Sequence, residues 1–321
     1  MLASLMISHP LVYVCPRTVQ PPKLDGRLDD AAWSHAPWTA EFQDIEGDKK
    51  PKPAFKTRAK MMWDDEYLYI GAHLEEPHVW ATLTEHDSVI FQDNDFEVFL
   101  DPDDDGHQYV ELELNALNTT WDLLLPRPYR GGGPALNGWE IKGLRTAVHI
   151  DGTLNHPEDT DRGWSVEIAC PWAALREVSH VPSPPRDGDQ WRINFSRVQW
   201  QTTVKDGKYV KVPGKPEDNW VWSPQHTIDM HWPDRWGVLQ FSNETTALPP
   251  AKQLPEWENR MRLIDVWVAQ SQYRGQHGTF CPSGTQLGFP DVKIEATSGQ
   301  FTARLGRCEI NQELKLTCSR D

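Results

Sequence analysis

The residues with the most chemistry in them are carboxylates in "FQDNDFEVFLDPDDDG", residues 91–106, and in "YVELELN", residues 109–115. Both stretches alternate apolar and polar residues with the period of a β-strand. If the two strands pair in register, Asp95, Glu97, Glu111 and Glu113 share one face. Phe96, Val98 and Leu100 then fill the other. Such a face is either a solvated sheet surface or the concave floor of a ligand site, where carboxylates bond hydroxyls or work as an acid/base pair. Phe99 falls on the acidic side and must pack under a loop or join an aromatic floor. A glutamate facing a glutamate on neighbouring strands repels it. Three remedies exist: a shared cation, a proton retained at a raised pKa, or neutralisation by Arg127, Arg130 or Arg197.

The run that follows, "DPDDDG", places Asp101, Asp103 and Asp105 ahead of Gly106. That matches the opening of a calcium loop. The match fails at its twelfth position, Leu112, so an acidic hairpin turn is the competing reading. "PYRGGG" (128–133) offers Tyr129 and Arg130 before a glycine run. It reads as a mobile loop able to close on a ligand, or as a plain connection. No Ser/His/Asp or Cys/His constellation stands out.

These groups must be positioned by a chain of 321 residues with 38% hydrophobic and 25% charged content, which is globular. The formal net charge of −15 disfavours nucleic acid as a partner. No apolar run approaches the ~20 residues that span a bilayer. Trp is abundant, at 16. Trp33, Trp63, Trp164, Trp172, Trp191 and Trp236 sit in strand or helix patterns and should be core. Trp80, Trp139, Trp200, Trp220, Trp222 and Trp232 sit in or beside loops and could line a cleft. Five scattered cysteines have neither disulfide-framework nor zinc spacing; Cys281 could pair with Cys308 or Cys318. Residues 1–17 lack a basic start before their apolar residues and make a poor secretory leader. That points to the cytoplasm, or to secretion with a misassigned start.

About ten short strands are expected up to residue 242, with helices only near 29–33 and 171–177. The pattern changes at "ETTALPPAKQLP" (244–255), which reads as a linker. Residues 256–274 then carry a helical period, with Trp257, Met261, Ile264 and Val268 on one face. Short strands follow at 292–297, 300–305 and 313–317. The expected architecture is mainly β: a jelly-roll or immunoglobulin-like β-sandwich over 15–242, a linker over 243–255 and a small C-terminal α+β appendage over 256–321.

Four stretches together resemble carbohydrate-binding module family 9: "LDGRLDDAAW" (24–33), "MMWDDEYLYIGAHLEEP" (61–77), "DNDFEVFLDPDDDGHQYVELELNALNTTWD" (93–122) and "GWSVEIACPWAAL" (163–175). "DRWGVLQFS" (234–242) is similar to the family's closing strand. The resemblance implies a jelly-roll sandwich related to DOMON domains. It also implies a saccharide or glycan terminus held between two aromatic walls, with polar groups on its hydroxyls. By this resemblance Glu97, Asn115 and Asn118 are ligand-binding positions and Phe91 replaces a wall tryptophan. Glu113 stands where the family has an arginine, a charge reversal. The second wall falls near Met230–Trp232, with Trp232 the natural candidate. Tyr129, Arg130 and Trp139 complete the expected lining. The family's structural calcium supports the reading of Asp101, Asp103 and Asp105 as a metal site. DOMON kinship raises haem ligation by Met61, Met62 and His73, which nothing else in the sequence supports. The expected function is non-catalytic carbohydrate binding. A glycoside-directed hydrolase built on Glu97 and Glu113 is the alternative, as is a scaffold with a degenerate site whose C-terminal segment mediates a protein contact.

Overall fold

The computed structural model describes residues 8–319; of the leader expectation over residues 1–17, the first seven residues lie outside them. Two sheets pack face to face. The larger runs β1 (Val12–Cys15), β14 (Gly237–Phe241), β10 (Gln190–Gln199), β5 (Asp95–Asp101), β6 (Tyr109–Asn115) and β7 (Thr120–Leu125). β13 (Asp218–Val221) pairs with β10, and β2 (Gln43–Asp44) with β13. The second sheet runs β3 (Thr57–Trp63), β4 (Tyr67–Glu75), β9 (Gly163–Pro171) and β8 (Arg145–Asp151). An exposed hairpin, β11 (Thr202–Lys205) and β12 (Lys208–Lys211), projects beyond β10.

The core between the sheets follows from strand alternation. Phe96, Val98 and Leu100 of β5 and Val110, Leu112 and Leu114 of β6 meet Met61, Trp63, Ile70, Leu74, Val166 and Ile168 of the second sheet. One end is closed by Trp63, Trp172, Trp191 and Phe241, whose rings meet edge-on at 5.1–6.3 Å. Such contacts add roughly 0.5–1.5 kcal/mol each beyond area burial. The "LDG" motif is explained by one buried glutamate. Glu167 accepts from Trp33 Nε1 at 2.7 Å and from the backbone N–H of Asp25 and Gly26 at 2.8 Å. Gly26 has φ +83°, and a Cβ there would meet His149 N at 2.4 Å, so only glycine fits.

The C-terminal part is α2 (Trp257–His277), a short α3 (Gly284–Leu287) and a four-stranded sheet, β15 (Lys293–Ala296), β16 (Phe301–Leu305), β17 (Cys308–Asn311) and β18 (Leu316–Cys318). The helix buries Arg260, Leu263, Val266, Trp267 and Gln270 as well as Trp257 and Ile264, a wider face than a single stripe. The cysteine expectation is corrected here. Cys308 pairs with Cys318 across β17 and β18, while Cys281 is free and buried, its backbone held by Gln270.

The appendage grips the sandwich at the β5–β6 turn. Asp104 bridges Arg192 of β10 (2.7 Å) and Arg260 of α2 (2.8 Å). Asp105 pairs with Lys315 at 2.8 Å, and its carbonyl accepts from Leu316 N. Arg127 pairs with Glu313 at 2.8 Å. The aspartate run is therefore an ionic clasp between two parts of the chain.

Candidate functional site

β5 and β6 pair so that Glu97 faces Glu113, Phe99 faces Glu111 and Asp95 faces Asn115. The carboxylates all lie on the outer face of the larger sheet, away from the inter-sheet core. That face is not solvated. Asp95, Glu97, Glu111 and Glu113 are each 5% exposed or less. The segments 126–136 and 222–236 cover the neighbouring part of the face. Phe99 is buried there among Tyr109, Leu123, Leu125 and Trp236, so it packs under a loop.

The charge problem at this floor is acute. Asp95 Oδ1 accepts from Val198 N at 3.1 Å, but Oδ2 is buried without a partner. Glu113 Oε2 accepts from Phe91 N at 2.8 Å. Neutralisation by arginine is ruled out by geometry. Arg127 is taken by Glu313 and Arg130 by Asp229. Arg197 lies inside the sandwich on Glu76, Gln199 and Thr57. Two other described bases stand near the cluster: Lys211, which interacts electrostatically with Asp95, and His231, 4.0 Å from Glu111. Burial pushes His231 down to about 4, so at neutral pH it is uncharged. It donates or accepts with Tyr109 Oη at 3.0 Å.

Burial raises all four carboxyls. For Asp95, Glu111 and Glu113 the neighbouring carboxylates raise them further. Glu97 is pushed up to about 7, chiefly by burial, with the Ser196 hydroxyl lowering it and Glu217 raising it. Oxygens of Asp95, Glu97 and Glu113 also lie within 4.8 Å of one another, close enough to share a cation. Two of the three remedies thus stay physically available, protons and a metal.

Around this floor stand half-buried rings. Phe91, in a 3₁₀ turn over Ile90–Gln92, stacks on Trp121 at 6.5 Å and 29°. Trp121 is directly opposite Glu113 on β7. Trp200 donates from Nε1 to the Phe91 carbonyl at 2.8 Å, and Lys211 sits 3.4 Å over its ring. Tyr129 is 47% exposed and lies edge-on to His231 at 4.5 Å. Its hydroxyl is raised by burial and then by Glu111 and Glu113, which places it beside the cluster.

The structure thus brings together Phe91, Glu97, Glu113 and Tyr129, and it places the other expected residues elsewhere. Trp232 is 5% exposed, clamped between Arg130 at 3.7 Å and Arg235 at 3.9 Å, and belongs to the appendage core. Arg130 is spent on that ring and on Asp229. Trp139 packs against the inter-sheet core. The amide of Asn115 is fully engaged, with Nδ2 on Leu83 O and Asp93 and Oδ1 on two backbone N–H groups. Asn118 turns the β6–β7 hairpin at φ +61° and reaches Thr146 O at 3.4 Å. Trp80, Trp220 and Trp222 are buried and line no cleft. Met61 faces the core, and Met62, on the outer face with His73, sits opposite Tyr69, four register positions along β4 from His73, so the three do not converge. Sequence reasoning passed over Trp121 as a wall; its register opposite Glu113 was the available signal.

Asp101, Asp103 and Asp105 do converge, with oxygens within 4.8 Å. Both Asp101 oxygens already accept from the turn's backbone, and Lys315 occupies Asp105 Oδ2. Asp103 Oδ1 is buried without a partner.

Residues 24–124, about a third of the chain, match the model of the family described as carbohydrate family 9 binding domain-like. The sandwich carries a family 9 carbohydrate-binding-like segment. Over 154 residues, 48% of this chain, it is 25% identical to exoglucanase XynX of Acetivibrio thermocellus and to endo-1,4-beta-xylanase A of Thermoanaerobacterium saccharolyticum. The match spans only 12% and 11% of those two proteins. Among solved structures, a Bacteroides uniformis protein described as "a putative carbohydrate-binding protein" superposes with TM-score 0.53 at 16% identity, covering 73% of this chain and all of that one. A family 9 module of Caldicellulosiruptor kristjanssonii, solved with cellotriose, gives 0.46 at 16% identity over 75% and 99%. The matched segment runs from before β2 into β7, and so contains Phe91, Glu97, Glu113 and Trp121.

Proposed function

We propose that this chain binds saccharide, without catalysis, in the hollow on the outer face of its larger sheet. Phe91, Trp121 and Tyr129 supply ring faces for the C–H surface of a sugar. Glu97 and Glu113 supply hydrogen bonds to its hydroxyls. The observation that carries this reading is the pair Glu97–Glu113, opposed in register and buried beside the Phe91–Trp121 stack. A carboxyl that keeps its proton donates as well as accepts, so two such groups can take the role of the family's arginine toward a neutral sugar.

A glycan array followed by calorimetry tests this. Phe91→Ala and Trp121→Ala should each weaken the best ligand about tenfold, as loss of one stacked ring does. Binding that is unchanged in both variants would place the site elsewhere. Turnover of chromogenic glycosides lost in Glu113→Gln would make the chain an enzyme.

A further inference from the structure

A second polar cluster lies at the edge of the sandwich. The loop before β5, the start of β7 and the loop before β8 bring together His86, Asp87, Asp122 and Glu140, one ligand atom of each within 4.8 Å of the others. His86 Nε2 lies 3.1 and 3.2 Å from the two Glu140 oxygens, 3.4 Å from Asp87 Oδ1 and 3.9 Å from Asp122 Oδ1. The other ring nitrogen, Nδ1, is 2.9 Å from the Thr120 carbonyl. A carbonyl only accepts, so Nδ1 carries a hydrogen. In neutral imidazole this leaves the Nε2 lone pair aimed at the three carboxylates. That arrangement is how proteins orient a metal-binding histidine.

Asp122 supplies an independent observation. Its side chain is 2% exposed, and Oδ2 accepts from Ile141 N. Oδ1 is buried with no hydrogen-bond partner and faces Nε2. A buried carboxylate oxygen left bare costs free energy that a ligand would recover. Asp87 is held at φ +62°, and its N–H donates to the same Thr120 carbonyl. The spacing also fits a specific ion. Zinc bonds nitrogen and oxygen at ~2.0–2.2 Å, so tetrahedral ligands stand roughly 3.3 Å apart. Glu140 and Asp87 already stand at that distance from Nε2, and Asp122 is about half an ångström beyond it.

We propose that His86, Asp87, Asp122 and Glu140 form a zinc site, with Nε2 and three carboxylate oxygens as donors. One imidazole favours zinc over calcium, and the absence of sulfur suits an exposed site of modest affinity. The ion would tie the loop that leads to Phe91 to the strand residue next to Trp121, behind the ring stack. That consequence rests on the proposed function; zinc binding itself does not.

The test uses the full chain, stripped with chelator, without saccharide. Calorimetry with ZnCl2 should show one equivalent that is weakened about a hundredfold in His86→Ala. Glu140→Gln changes an exposed side chain and so keeps the fold; it should weaken binding about tenfold. Cobalt(II) should give the visible absorption of a tetrahedral site, lost in both variants. CaCl2 should bind there far more weakly. Zinc uptake that is absent from the parent, or undiminished in both variants, overturns the proposal. So does a His86 ring that stays an imidazolium clasped by carboxylates in the presence of zinc, as its NMR titration would show.

Discussion

Glu113→Gln probes the crowded floor of the hollow most directly. The amide keeps the size of the side chain and an oxygen to accept the Phe91 N–H, which now sits at 2.8 Å. What changes is charge. Two ionised carboxylates with oxygens no more than 4.8 Å apart repel by at least about 3.5 kcal/mol at an effective dielectric of 20. The new NH2 group can also donate to Glu97. Glu97 is raised to about 7 in the folded chain, from roughly 4.5 when unfolded. A raised carboxyl binds more protons folded than unfolded between those values. Its contribution is therefore favourable at low pH and is lost as pH climbs through the folded value, by about 3.4 kcal/mol in total.

Urea unfolding of parent and variant at pH 5, 7 and 8.5 isolates this, because titrations common to both cancel in the difference. The two should be equally stable at pH 5, within about 0.5 kcal/mol. At pH 8.5 the variant should be more stable by about 2–3 kcal/mol, with other buried losses discounting the full Coulomb value. A variant that is less stable than the parent at pH 8.5, and more so with calcium added, would refute proton sharing. It would mean that Asp95, Glu97 and Glu113 hold a cation.

Three further outcomes are expected. His231, lowered to about 4 by burial, contributes stability that is present above pH 6.5 and lost as pH falls toward 4. His231→Gln should flatten that acid limb by about 3 kcal/mol in pH-dependent urea melts. Asp104→Ala leaves Arg192 and Arg260 buried without their shared partner, and should cost about 3–5 kcal/mol by urea unfolding. Cys308→Ser opens a link across a sequence separation of 10 residues. Loop entropy sets its cost at about 2.7 kcal/mol, read as faster hydrogen exchange in β16–β18.

Much of this fold was legible because its signals are local. Alternation in β5 dictates that Phe96 and Glu97 point to opposite faces, and a short acidic turn brings β6 back beside it. The direct opposition of Glu97 and Glu113 follows from those two facts alone. β17 at Cys308–Asn311 and the β11–β12 hairpin are legible only with difficulty because each strand is four residues long, too short for its period to stand out. The disulfide partner of Cys308 depended on β17, so missing the strand meant missing the bond.

The site residues that were misplaced share one physical cause. Trp232, Arg130 and Arg127 are assigned their roles by segments distant in sequence. Arg127 is claimed by Glu313, 186 residues away. Arg130 is claimed by Asp229 and by the ring of Trp232, which itself packs in the appendage core. A guanidinium next to a carboxylate floor looks like its counter-ion until the rest of the chain supplies a better acceptor. The appendage thereby shapes the hollow without lining it. It draws Arg127 away through Glu313 while Asp229 of the sandwich holds Arg130, so neither arginine balances the four carboxyls and Lys211 is left beside Asp95 alone. Protons or a bound molecule must then balance the floor, which is the condition a site needs if occupancy is to be reversible.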